Sequence, residues 1–157
     1  MNALEKKGYI SKEDKPRGIG LLESVSAKLH ANFANIPLMG FVPAGGPVNA
    51  ESYIDDYVSV DTSKIKNPQN CFMLRVTGQS MVDAGIFEGD LLVADSVKTP
   101  KVGDIVIALV DNENTVKRLC QKDGEMFLKA ENSEYSDITP LNTLEVQGVV
   151  LTLIRNY

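Results

Sequence analysis

Residues 103–130 read "GDIVIALVDNENTVKRLCQKDGEMFLKA", and their pattern decides the fold class. An apolar run, "GDIVIALV", meets the polar turn "DNEN" and then an alternating run, "TVKRLCQK", which together predict a β-hairpin. "EMFLKA" adds a further strand. Working outward, "SYIDDYVSV" (52–60) alternates like a strand, and "CFMLRVTG" (71–78) is apolar enough for a central one. "DAGIFEGDLLVAD" (83–95) supplies a loop and a strand, and "LEVQGVVLTLIRN" (144–156) completes the set. Strands at this spacing, parted by Gly, Asn and Asp turns with little helix after residue 35, predict a mostly β domain built from hairpins.

Upstream the texture differs. "IPLMGFVPAGGPVNA" (36–50) is apolar but broken by prolines and glycines, so no regular element runs through it. In residues 21–35, Leu22, Val25, Leu29 and Phe33 stand at roughly helical spacing, which fits a short helix or an ordered linker equally. Residues 1–20 begin with a helix tail, "NALEKKG", whose Lys6 and Lys7 suit the negative end of the helix dipole and whose Gly8 ends it. A β-hairpin, "YI" to "IGLL" around the polar turn "SKEDKPRG", is expected next.

With 157 residues, 43% of them apolar and 24% charged, the chain can bury one substantial core plus a small appendage. The net charge of −5 is uneven. Residues 1–17 hold five Lys/Arg against three Asp/Glu, and residues 18–157 hold eleven against eighteen. An acidic main domain argues against nucleic-acid binding by that domain, since phosphate neutralisation needs clustered cations. Cys71 and Cys120 stand far apart with no metal-ligand spacing, so no metal site is expected, and free thiols in a reducing cytoplasm fit them. No apolar run is long enough for a bilayer, and the first residues lack a signal-peptide core.

One short stretch carries possible chemistry. In "VTGQSMVDAG" (76–85), Ser80 sits in a glycine-bounded turn, where a serine is a capping residue or a nucleophile. The single histidine, His30, lies in the linker-like segment and reads as a solvated side chain. A neutral lysine is the other base that activates a serine, and it must be buried to lose its proton near neutral pH. The S-x-x-K spacing is absent, because Asp83 follows Ser80 by three. Lys117 is a candidate: on a strand it shares a face with Thr115 and Leu119, and Val116, Arg118 and Cys120 take the other. The competing reading makes Lys117 and Arg118 charges on an edge strand that discourage aggregation. "GFVPAGGPVNA" (40–50) reads as a turn or as a substrate, in which small Ala44 and Gly45 expose a carbonyl and Pro43 and Pro47 stiffen the flanks.

Taken together, "IPLMGFVPAGGP", "FMLRVTGQSMVDAGIFEGDLLVAD", "GDIVIALVDNENTVKRL", "LKAENSEYSDI" and "GVVLTLIRN" resemble the self-cleaving peptidase domain of the LexA repressors and their relatives, UmuD and the phage repressors. The Ser80-to-Lys117 separation of 37 residues matches the family. The resemblance implies a LexA/signal-peptidase-like β fold over residues 36–157, cleavage within residues 41–48 at Ala44-Gly45, and no cofactor. It implies that Ser80 is the nucleophile, Lys117 the base, and the N–H groups of Gln79 and Ser80 the oxyanion donors. It further implies a cytoplasmic homodimer triggered by the RecA–single-stranded-DNA filament. The hydrophobic Phe41, Val42 and Pro43 would cover the site when the cleavage loop folds in.

Residues 1–22 resemble the end of a winged-helix recognition helix and its hairpin wing, with residues 23–35 as linker. Wing residues Lys12, Lys15 and Arg17 are candidates for phosphate contacts, but the preceding helices are missing, so operator DNA is expected as a partner only where they are supplied. UmuD-type polymerase accessory subunits have only a short arm there, which ranks a repressor first and such a subunit second. A non-catalytic dimerisation module is the third reading, and a signal peptidase is disfavoured without a membrane segment.

Overall fold

A computed structural model describes residues 10–12, 19–21, 32–47, 50–139 and 144–157. The chain divides into two compact units, Met1–Ala34 with Ser59–Lys66, and Asn35–Val58 with Asn67–Tyr157. In the first, β1 (Ile10–Lys12) pairs antiparallel with β2 (Ile19–Leu21), with Ile10 opposite Leu21 and Lys12 opposite Ile19. This is the expected hairpin, with Lys12 on its first strand. The helix tail 2–8, the turn bearing Lys15 and Arg17, and His30 lie outside the described residues.

The larger sheet has eight strands, most of whose residues lie in the second unit. Its strands are β3 (Phe33–Met39), β4 (Ile54–Asp61), β5 (Cys71–Arg75), β6 (Leu91–Asp95), β7 (Ile105–Val110), β8 (Glu113–Lys122), β9 (Glu125–Lys129) and β10 (Glu145–Ile154), in the order β4-β3-β5-β6-β10-β7-β8-β9. From β5 to β9 every neighbouring pair is antiparallel, as hairpin patterning predicts. The pair β3–β5 is parallel, which a two-residue hairpin cannot make, so a long connection must join them. That connection carries the 40–50 segment.

Three local readings are corrected. Phe33–Asn35, expected in the linker, open β3, where the alternate residues Ile36 and Leu38 are buried and Pro37 falls outside the Leu38–Met73 and Met39–Leu74 pairings. Phe33 is therefore on a strand, not a helical face. The turn expected over 111–114 shrinks to Asp111–Asn112, both with positive φ (49° and 63°), which matches the right-handed twist of the flanking strands and pairs Val110 directly with Glu113. Asn114 thereby becomes a strand residue. Finally, "LKAENSEYSDI" is strand only to Lys129. Beyond it, Asn132 turns the chain by accepting from the Glu134 N–H through its side chain and from the Tyr135 N–H through its carbonyl.

β5 is buried on both faces except at Arg75, in keeping with its central position. Phe72, Met39, Val42, Leu74 and Ile107 form one core cluster, and Val106, Ala108, Leu119, Leu128 and Val149 a second. Val76, Met81, Ile86 and Leu92 form a third. β10 passes its first half to β7 and its second to β6, with irregularities between Val146 and Gly148 and between Val150 and Thr152 that let one strand serve both.

Gly148 packs under the ring of Phe72. A Cβ added there would lie 2.8 Å from Phe72 Cε1 and 3.2 Å from Ala94 Cβ, both on buried side chains. Gly148→Ala is expected to lower unfolding stability by about 1–3 kcal/mol through overpacking, read as the urea midpoint.

Candidate active site

The turn that carries Ser80 is pinned at both ends by apolar burial. Val76 and Met81 are buried, and between them Gly78 takes φ +77°, which reverses the chain without a side-chain clash. After Ser80 a 3-10 turn, Val82–Ala84, closes on Gly85 in the left-handed region. The Ala84 and Ile86 N–H groups both donate to the Met81 carbonyl, at 3.1 and 3.2 Å. Behind the turn, the Val76 N–H donates to the Asp90 carbonyl (2.8 Å), and the buried Asp90 carboxylate accepts from Arg155 Nε and Nη2, each at 2.7 Å. The Arg155 guanidinium holds the Asp90 carboxyl below its ordinary range.

Lys117 comes from β8, between β7 and β9, with Val106 opposite it. The edge-strand reading is thus corrected for this residue: Lys117 is interior and only 6% exposed. Arg118, on the other face, pairs with Glu131 and donates to the Gly103 carbonyl (2.7 Å). Lys117 Nζ lies 2.7 Å from Ser80 Oγ, 2.9 Å from Thr115 Oγ1 and 3.0 Å from the Val116 carbonyl oxygen. Among the described residues no carboxylate pairs with it, and burial pushes its pKa below the ordinary lysine value. Lys117 Nζ donates to all three of these oxygens. Once the amine has lost a proton, its two remaining N–H bonds can serve Thr115 and Val116 while its lone pair faces the Ser80 hydroxyl.

Ser80 and Lys117 open onto a cavity of about 500 Å³, also lined by Phe41, Gln79 and Tyr135. Among the described residues, the N–H groups of Gln79 and Ser80 donate to no protein acceptor. The structure does not bring Ala44 and Gly45 into this cavity. They are exposed and form the centre of a turn closed by the Gly46 N–H donating to the Pro43 carbonyl (3.1 Å), with Gly45 at φ +87°. The Gly45 N–H donates to Glu145 Oε1 (2.6 Å). Just upstream, Asn114 binds Val42 twice, accepting from its N–H at 2.7 Å and donating to its carbonyl at 2.8 Å. Of the three residues expected to cover the site, Phe41 lines the cavity and Val42 is wholly buried in the Phe72 cluster.

Several residues that shape the site were not singled out from sequence. Asn114 and Glu145 moor the loop, and Glu131 and Asn132 bind the nucleophile turn. For Asn114, Glu131 and Asn132 the only signal was their place inside the resembling segments, and Glu145 lies outside them.

Residues 37–151 match the family described as Peptidase S24-like. Over its whole length the chain is 35% identical to a LexA repressor of Clostridium acetobutylicum, spanning 76% of that protein. It is 37% identical to the LexA repressor of Clostridium novyi, again over the whole chain and 77% of the relative. The LexA repressor of Mannheimia succiniciproducens is 38% identical over 99% of the chain and 75% of its own length.

A lysine whose folded pKa is lowered is neutral in the fold over a pH range where the unfolded chain still binds the proton. Within that range stability rises with pH, and the gain is complete above the unfolded value of about 10.4. Titration of ¹³Cε-labelled lysines is expected to show Lys117 deprotonating below the ordinary lysine range, a signal that Lys117→Met removes.

Proposed function

The chain belongs to the S24-like peptidase family together with the LexA repressors, and from that membership we propose that it is a LexA-type repressor that inactivates itself by cutting its own Ala44-Gly45 bond. The observation that carries this reading is the buried, carboxylate-free contact of Lys117 Nζ with Ser80 Oγ at 2.7 Å. Neutral Lys117 takes the hydroxyl proton as Ser80 Oγ attacks the Ala44 carbonyl carbon. The oxygen that becomes negative is met by the free N–H groups of Gln79 and Ser80. Lys117 then returns the proton to the Gly45 nitrogen, which leaves, and an ester of Ser80 with the Ala44 acyl group remains. Water, deprotonated by the same amine, hydrolyses that ester.

The substrate's position supplies the control. In the geometry described above, the scissile turn is moored to Asn114 and Glu145, away from the nucleophile, so the reaction waits on a loop rearrangement. A partner that favours the docked loop raises the rate without adding a chemical group. In this reading that partner is the RecA–single-stranded-DNA filament of the DNA-damage response, and the protein is a cytoplasmic homodimer. Operator binding belongs to the 1–22 segment with Lys12, Lys15 and Arg17, completed by the helices that precede it in a winged helix. The relatives, LexA repressors along the full chain, favour this reading over a polymerase accessory subunit.

Incubation of the purified chain from pH 7 to 10.5, followed by intact mass, is expected to yield two fragments, 1–44 and 45–157, at a rate that rises with pH until Lys117 is fully neutral. Ser80→Ala and Lys117→Ala are expected to stay whole. A parent chain that stays intact throughout, with activated RecA included, sinks the reading. Glu145→Ala frees the Gly45 N–H, and loss of one such exposed bond, about 0.5–1.5 kcal/mol, is expected to speed self-cleavage about two- to tenfold at fixed pH.

A further inference from the structure

We propose that Asn132 is a positioning residue for the oxyanion site, acting through the peptide group that joins Gln79 to Ser80. The inference rests on the self-cleavage reading above. Asn132 Nδ2 donates to the Gln79 carbonyl at 2.8 Å, across 53 residues of sequence. In a trans peptide the carbonyl and the N–H point in opposite directions, so pinning the Gln79 oxygen on one side aims the Ser80 N–H at the other. That N–H donates to no protein acceptor among the described residues, and Ser80 lines the cavity. The next peptide is held in the same manner, by the Glu131 N–H donating to the Ser80 carbonyl at 2.8 Å. Consecutive carbonyls are thus gripped from the 130–135 loop.

Two further observations favour this role. Gly78 has a positive φ that a glycine adopts readily, which sets the turn just ahead of the two N–H groups that have no protein acceptor among the described residues. Donation to the Gln79 oxygen also polarises the peptide and makes the Ser80 N–H a stronger donor. Asn132 itself is locked. Its Oδ1 accepts from the Glu134 N–H (3.0 Å), which leaves the amide nitrogen facing Gln79. The preceding residue, Glu131, is tied to Arg118, the β8 neighbour of Lys117, so one loop registers the oxyanion donors against the base.

Asn132→Asp separates this role from a structural one. The carboxylate keeps the size and still accepts from the Glu134 N–H, but at alkaline pH it has no hydrogen to give the Gln79 oxygen. The expected result is a self-cleavage plateau at least tenfold below the parent, against the ~10²–10³-fold lost when an oxyanion donor is removed outright. The pH midpoint, set by Lys117, stays at the parent value. Phosphonylation of Ser80 by a fluorophosphonate, whose P=O uses the same donors, slows in parallel. If Asn132→Asp lowers Tm by more than about 5 °C, where a typical surface change moves it less, then Asn132→Ser, neutral and too short to reach the carbonyl, is read by the same criteria. A plateau within threefold of the parent overturns the proposal, as does a shifted midpoint, which would place the effect on Lys117. A parent chain that never cleaves removes the self-cleavage reading itself, whereas a cleaving parent matched by Asn132→Asp removes this proposal alone.

Discussion

Everything at the site depends on keeping one amine dry. An ammonium group is stabilised by water, and removing that water favours the neutral base only where the surroundings cannot supply a counter-charge. Lys117 meets both conditions through the sheet. β8 is flanked on each side, Val106 stands opposite, and Leu119 on the same face joins the Leu128 cluster. Two of the three oxygens that receive its hydrogens, from Thr115 and Val116, belong to residues of the same strand. The lowered pKa of Lys117 is therefore a property of strand order and register, and a slip of one residue would exchange Lys117 with a side chain from the other face.

The segment around Ala44 and Gly45 is held by weaker means. Asn114 and Glu145 bind its backbone through hydrogen bonds at or near the surface, each the kind of contact that contributes a kcal/mol or so. The alternation along β8 is informative here. Asn114 and Val116 face the Val42 cluster, while Thr115 and Lys117 face the amine's own partners. One strand thus carries both Asn114, which holds Val42, and Lys117, and both line the cavity onto which Ser80 opens.

The sequence was read correctly where the information is local. Period-two patterning and turn residues gave the strands from β5 to β10, and burial confirms the central place of "CFMLRV". The ordered run of motifs gave the family. What failed is long-range. Alternation alone cannot say whether a strand has neighbours on both sides, so Lys117 fitted an edge as well as an interior position. The parallel β3–β5 pair and the start of β3 at Phe33 depend on partners distant in sequence. Asn132 fails for a related reason: its hydrogen bond to Gln79 spans 53 residues, and an asparagine in a polar loop looks like any turn former.

Val42 and Ala50 are both buried in one core cluster, with seven residues between them. Each residue of extended chain reaches about 3.3–3.6 Å, so while Val42 stays seated Ala44 swings within roughly 7 Å of it. On the self-cleavage reading, the bond to be cut is on a leash, and the leash is tied to the hydrophobic core. Lengthening the swing means drawing Val42 out into water, at a cost of about 1.5–3 kcal/mol for a buried aliphatic side chain. The packing that holds the domain together thus also rations how far the Ala44-Gly45 bond can travel.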